Sequence, residues 1–133
     1  MKRSAGVLMP ISSLPSKYGI GTLGEGARDF IDFLEKSGQT YWQVLPIGPT
    51  GYGDSPYQSF SSNAGNPYFI DLDDLCDEGY LEKEEYVNEN YGTDVNCVDY
   101  AQIYNTRFTV LRKAVERLSA VQTEDYLSFL RDN

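Results

Sequence analysis

The chain has 133 residues, 41% of them hydrophobic and 23% charged, with 20 acidic against 11 basic residues and a formal net charge of −9. That length supports one small domain with a real hydrophobic core, and that composition is globular rather than disordered. The acidic excess repels phosphate backbones and anionic lipids, so neither nucleic acid nor a membrane is expected as a partner, while a neutral ligand is compatible with it. Histidine is absent, and Cys76 and Cys97 are the only cysteines. An ordinary structural zinc site and a histidine-based triad are therefore excluded within this chain, and any catalysis would have to rest on carboxylates or tyrosines. The two thiols read as small buried side chains in a reducing compartment. No run of about 18 apolar residues is available for a membrane span. The positive start Met1-Lys2-Arg3-Ser4 leads into an apolar run cut short by Pro10, which makes a poor signal peptide, so a cytoplasmic protein is expected.

In chain order, Gly6 to Ile11 is a continuous apolar run, as expected of a strand buried on both faces. A polar loop follows from Ser12 to Gly21. Thr22 and Glu25 have capping-box spacing, and Ala27, Phe30, Ile31 and Leu34 then fall on one helical face, with Gly38 placed to end the helix. Tyr41 to Pro46 reads as a second strand. Strand, helix and strand in about forty residues form a βαβ unit, hence a parallel sheet, whose ligands bind at the carboxyl ends of the strands. Further on, residues 71–78 read as a short acidic helix ended by Gly79. Asp99 and Gln102 mark the start of a long helix with an apolar stripe at Tyr104, Phe108, Leu111, Val115 and Leu118. A last helix begins near Thr123, with Tyr126, Leu127 and Leu130 as its apolar contacts. The many acids of residues 71–94 read as a solvated face.

Two loops leave the carboxyl ends of the two strands, residues 11–21 and the long segment after Pro46. The second contains GPTGYGDSPYQSF, residues 48–60. Three glycines and two prolines exclude helix or central strand there. Structureless loops of such length are usually functional or disordered. Tyr52, Tyr57 and Phe60 alternate with Asp54, Ser55, Gln58 and Ser59. Amphipathic rings beside hydrogen-bonding groups suit a sugar, whose C–H faces stack on rings and whose hydroxyl edges need donors and acceptors. A nucleobase or another flat polar ligand fits the same composition, as does a surface loop folded around its own aromatics.

The runs LMPISSLP (8–15), YGIG (18–21), YWQVLP (41–46) and GPTGYGDSPYQSFSSNAGNPYFIDL (48–72) resemble the start of amylomaltase, the 4-alpha-glucanotransferase family of glycoside hydrolase family 77. The likeness is dense over residues 4–75 and looser at Val98-Asp99-Tyr100 and the helix behind it. It implies an α/β fold: the N-terminal portion of a (β/α)8 TIM barrel, residues 1–70, followed by a mainly helical inserted subdomain, residues 71–133. It also implies transfer of a segment of an α-1,4-glucan to the 4-hydroxyl of an acceptor, through a glycosyl group held on an aspartate, without organic cofactor or metal.

Position by position, Tyr57 is similar to the tyrosine that stacks on the sugar at the cleaved bond, and Ser55 to a polar contact in the same groove. Asp54 lies in the same motif, and is expected to brace the loop by accepting backbone N–H bonds more than to touch sugar. Tyr52 and Tyr100 resemble a pair forming a second glucan site; the competing reading of Tyr100 is packing at the start of the long helix. Trp42 reads as a packing residue. None of the catalytic carboxylates is expected in this chain, because retaining transfer needs two of them about 5 Å apart and a complete barrel needs about 250 residues. The expectation is an N-terminal fragment of a glucanotransferase; the alternative is a short noncatalytic glucan-binding or vestigial module.

Overall fold

In the computed structural model, which describes residues 3–94, 96–121 and 124–132, strand β1 (Gly6–Leu8) pairs in parallel with β2 (Tyr41–Gln43). The register is Gly6 with Tyr41, Val7 with Trp42 and Leu8 with Gln43. The Met9 N–H adds one more bond, 3.0 Å to the Gln43 carbonyl. Both strands are shorter than the apolar runs that announce them. Each run meets a proline, Pro10 within the first and Pro46 at the end of the second, and proline has no N–H to give a ladder. The expectation of burial on both faces does not hold. Trp42 turns inward, its ring edge-on to Phe30 at 5.2 Å and its Nε1 donating to the Met9 carbonyl at 2.8 Å. Leu8 and Tyr41 point the other way and are 54% and 63% exposed. The packing role expected of Trp42 is what the structure shows.

Helix α1 (Glu25–Lys36) connects the strands and covers the inner face with Ala27, Phe30 and Leu34. Ile31, assigned to the same stripe, is instead half exposed. The helix ends as expected, at Gly38 with φ +70°, a conformation nearly free for glycine. Its start is a correction. Gly24 is the N-cap and no side chain caps it, because the Thr22 hydroxyl donates to the Asp71 carboxylate, far along the chain.

The rest of the chain builds a second, larger cluster. Helix α2 (Leu72–Asp77) is capped by Asp71, which accepts the N–H groups of Asp73 and Asp74 at 2.9 and 3.1 Å, and closes at Gly79 with φ +81°. Helix α3 (Tyr100–Val121) starts where Asp99 accepts the Gln102 N–H at 3.0 Å. Its buried face is Ile103, Thr106, Arg107, Val110, Leu111 and Ala114. The expected stripe is thus rotated: Tyr104 and Val115 are about 60% exposed, and of that set only Leu111 is buried. Ile103, Val110 and Leu111 join Tyr18, Ile20, Tyr68, Leu72, Leu81, Tyr86 and Tyr91 in one core. Helix α4 (Glu124–Asp132) buries none of its residues, and Thr123, expected to open it, lies outside the described residues.

The acids of residues 71–94 are not simply a solvated face. Asp73 Oδ1 accepts both the Tyr18 and the Tyr86 hydroxyls at 2.7 Å. Asp74 takes a two-pronged bond from Arg28 at 2.8 and 3.0 Å. Glu85 takes Arg117 at 2.6 Å. Cys76 packs half-buried against the core, whereas Cys97 is exposed, contrary to the expectation for it. Among the described residues no helix is long and apolar enough to cross a membrane.

Arg117, together with the Glu82 N–H, lowers the Glu85 carboxyl from 4.5 to about 2. A carboxyl depressed by folding contributes stability above its unfolded value that is lost as pH falls toward the folded one. Between pH 4.5 and 2 the protein should therefore lose stability through Glu85. Thermal melts across the upper part of that window should show a shallower fall in Tm for Glu85→Gln than for wild type. Parallel slopes would remove this pair from the acid response.

Candidate functional site

The loop after β2 is closed at its base before it reaches the tyrosines. The Asn66 N–H donates to the Ile47 carbonyl at 2.8 Å, and Thr50 and Ser59 form an antiparallel bridge. Gly48 passes so close to Ser59 that a Cβ there would press on its hydroxyl. Ser59 Oγ donates to the Ser61 carbonyl at 2.7 Å, and Ser61 Oγ accepts the Ala64 N–H at 3.1 Å. A ten-residue projection, 50–59, therefore stands on a fixed stem.

Within it, two successive residues have positive φ, Gly53 at +95° and Asp54 at +54°. Asp54 is the only non-glycine residue of that kind among the described residues. The Asp54 N–H donates to the Gly51 carbonyl at 3.1 Å, and the Gln58 N–H to the Ser55 carbonyl at 3.1 Å. These reversals leave Tyr57 and Phe60 73% and 78% exposed and Tyr52 fully so. Burying such rings would stabilise the loop by about 1.5 to 3 kcal/mol each. The loop forgoes that and holds its shape by polar and backbone bonds, as a surface made to stack on something else would.

The expected site residues are partly brought together. Ser55 Oγ accepts the Tyr57 N–H at 3.4 Å, so these two form one turn. Asp54 and Tyr100 line a cavity of about 30 Å³ beneath the loop, walled by residues of both strand ends, among them Ile11 and Pro46. Burial, and then the Asp54 carboxylate, push the Tyr100 hydroxyl up; the same causes raise Tyr68 to about 12. Tyr100 is also packed, its ring 6.1 Å from that of Tyr68. Among the described residues no ring pair joins Tyr52 to Tyr100, and Tyr52 is fully exposed. The bracing expected of the Asp54 side chain is not found: no N–H donates to its carboxylate among the described residues, and its part in the turn is played by its backbone.

Sequence reasoning missed the base of the loop. Asn66 is buried and its Oδ1 accepts the Tyr68 N–H at 3.0 Å. The Asn66-Pro67 pair is a turn signal that could have marked it. A wider cleft of about 600 Å³ opens between residues 12–21 and 89–98, but none of the five expected residues lines it. Among the described residues no cluster of carboxylates and thiols could hold a metal ion.

Comparison with known proteins decides what this arrangement belongs to. The model of the family described as 4-alpha-glucanotransferase, glycoside hydrolase family 77, matches residues 9–133. The chain belongs to this family. It is 53% identical to the 4-alpha-glucanotransferase of Clostridium butyricum, over 93% of this chain and 26% of that protein. The Streptococcus pneumoniae protein of the same name is 53% identical over 99% of this chain, and that of Thermus thermophilus 46% over 97%, each again across 26% of the relative. Among solved structures, the amylomaltase from Streptococcus agalactiae in complex with acarbose superposes with a TM-score of 0.91 at 47% identity, covering 98% of this chain and 26% of that one. The chain thus spans about a quarter of the length of the relatives it matches, and its α/β fold is that of the matching part of amylomaltase.

The left-handed Asp54 yields a test. An L-residue there costs about 1 to 2 kcal/mol, less for Asp and Asn, most for a β-branched side chain, and nothing for glycine. Asp54→Gly should keep the loop as resistant to proteolysis as wild type, while Asp54→Val should raise cleavage within residues 51–58 by about ten-fold. Equal cleavage in the two variants would show that the loop does not hold this backbone conformation.

Proposed function

We propose that this chain is the N-terminal part of a protein acting as a 4-alpha-glucanotransferase, moving a segment of an α-1,4-glucan to the 4-hydroxyl of another glucan or of glucose. The family match over residues 9–133 carries this reading. Residues 1–70 supply the first strands, helix and substrate loops of a (β/α)8 barrel, and 71–133 the mainly helical insertion after the second strand. The protein works in the cytoplasm on maltooligosaccharides, without cofactor. The nucleophile and acid/base carboxylates of retaining transfer come from strands outside this chain. This chain's part is to hold sugar: Tyr57 stacks on the ring at the cleaved bond, Ser55 and Asp54 flank it, and Tyr52 with Tyr100 offers a second, outer glucan site. The exposure of Tyr52 and Tyr57 on a fixed stem supports those roles.

The full-length protein, incubated with maltotriose, should yield glucose together with chains longer than three units. Products of hydrolysis alone, with nothing lengthened, would defeat the transferase reading.

Tyr57→Ala should lower kcat/KM in that reaction by about one to three orders of magnitude, or roughly 1.4 to 4 kcal/mol of transition-state stabilisation, with Tyr57→Phe milder if stacking dominates. Tyr52→Ala should instead spare maltotriose and impair amylose. Wild-type kinetics for Tyr57→Ala would take the ring out of the inner site, and equal losses on both substrates for Tyr52→Ala would argue against a separate outer one.

A further inference from the structure

Arg107 sits in the middle of α3 with no exposed surface at all. No carboxylate pairs with it among the described salt bridges, and burial lowers its guanidinium to about 10. A charge held this way is costly, and an apolar side chain would fill the same space among Ile103, Val110 and Leu111 more cheaply. What the arginine does instead is specific. Its Nη1 donates to the Tyr18 carbonyl at 3.3 Å and its Nη2 to the Ile70 carbonyl at 2.5 Å, while its Nε has no partner among the described residues.

Those two carbonyls belong to different loops. Tyr18 lies in the loop that leaves β1, and Ile70 closes the loop that leaves β2. Just beyond the first loop, the Leu23 N–H donates to the Phe69 carbonyl at 2.9 Å, a backbone bond between the two segments. A planar fork can hold two carbonyls at once, whereas a lysine ammonium at that depth reaches one.

We propose that Arg107 is a positioning residue for glucan binding: from the long helix it fixes the relative placement of the two strand-end loops, and so the place at which Ser55 and Tyr57 meet the sugar. This rests on the glucanotransferase reading above. The fork leaves its Nε unpaired to reach both loops, which is a poor arrangement for stability and a good one for holding two segments in register. Small displacements of such loops weaken productive binding steeply.

The test uses the full-length protein with maltotriose. Arg107→Met removes the fork and its buried charge; the cost of leaving the Tyr18 and Ile70 carbonyls without it is offset in part because the charge is no longer buried. Its Tm should stay within about 5 °C of wild type, yet kcat/KM should fall about ten-fold or more, chiefly through KM. Arg107→Lys should recover part of the loss. Arg117→Met serves as the control, since Arg117 ties Glu85 and the Tyr80 carbonyl but neither loop; it should lower Tm with KM unchanged. Wild-type KM in both Arg107 variants, or losses that merely follow Tm as in the control, would overturn the proposal. If the methionine variant does not melt cooperatively, the lysine variant is read by the same criteria. If the wild type itself fails to lengthen maltotriose, the functional reading falls, and hydrogen exchange judges Arg107 alone. Faster exchange in residues 11–21 and 66–71 with α1 unchanged supports its hold on the loops, and unchanged exchange there refutes it.

Discussion

The first turn of α2 holds the architecture together. Three aspartates stand on or beside it, and each reaches back some fifty residues to a different partner. Asp71 takes the Thr22 hydroxyl, Asp73 the Tyr18 hydroxyl and Asp74 the Arg28 guanidinium. Asp71 at the same time caps its own helix, and Asp73 also accepts Tyr86. The loop after β1 has almost no regular structure and could not hold its course by ladder bonds. It is held by side chains that satisfy carboxylates, and such charge-assisted bonds are roughly twice as strong as neutral ones. Their loss would leave acceptors partly buried without partners, which costs more than the bonds themselves gain.

This clasp explains why the core does not divide where the chain changes character near residue 70. Tyr18, Ile20 and Tyr68 pack into the same cluster as Leu72, Tyr86, Tyr91 and Ile103. Tyr18 meets Tyr86 and Tyr91 edge-on, at 5.3 and 5.5 Å. Gly19 beside it has φ +78° and lies so close to the Tyr91 carbonyl that no side chain would fit. Two sets of aromatic residues are treated in opposite ways. One set is packed and hydrogen-bonded around Tyr18. The other, Tyr52, Tyr57 and Phe60, is left in solvent on a loop held by its stem and its own turns. A chain that can bury Tyr86 to 1% exposure and leaves Tyr57 at 73% has placed its rings by position and not by hydrophobicity.

Helix ends and the strand–helix–strand order are legible in the sequence, whereas faces and caps set by distant partners are not. The βαβ unit, Gly38, Gly79, Asp71 and the helix start at Asp99 all follow from spacings of a few residues, and all stand in the structure. Thr22 failed because its hydroxyl had a better acceptor 49 residues away, which no capping pattern reports. The buried face of α3 departs from the stripe of aromatic and aliphatic residues because it includes Thr106 and Arg107. Thr106 donates to the Asn90 carbonyl at 2.8 Å and Arg107 to two loops, so both are buried as polar groups with partners. Tyr104 and Val115, freed from that face, look outward. At the loop, composition pointed to a sugar among several flat ligands, and only the long ordered likeness to glycoside hydrolase family 77 narrowed it. The positive φ of Asp54 had no signal beyond a residue type that tolerates it.

The exposed outer side of the sheet follows from the same logic. A two-stranded ribbon is marginal by itself and needs either more strands or a covering layer on each face. Here α1 covers one face, while Leu8 and Tyr41 remain open on the other side and Ile31 and Phe33 on the helix. Their partners cannot come from α3, whose apolar face is already spent on Tyr18, Tyr68 and Tyr91. On the proposed reading, the remaining strands and helices of the barrel take these positions, and their inward side chains close over Leu8. Stability would then be divided unevenly. The cluster around Tyr18 and α3 is complete within these residues, whereas β1 and β2 depend on neighbours for half of their burial. The segment after β1 is anchored to that cluster through Asp71, Asp73 and Arg107, and the loop that carries Ser55 and Tyr57 through Arg107 at Ile70. A binding surface rooted in this way keeps its geometry while the sheet beneath it adjusts.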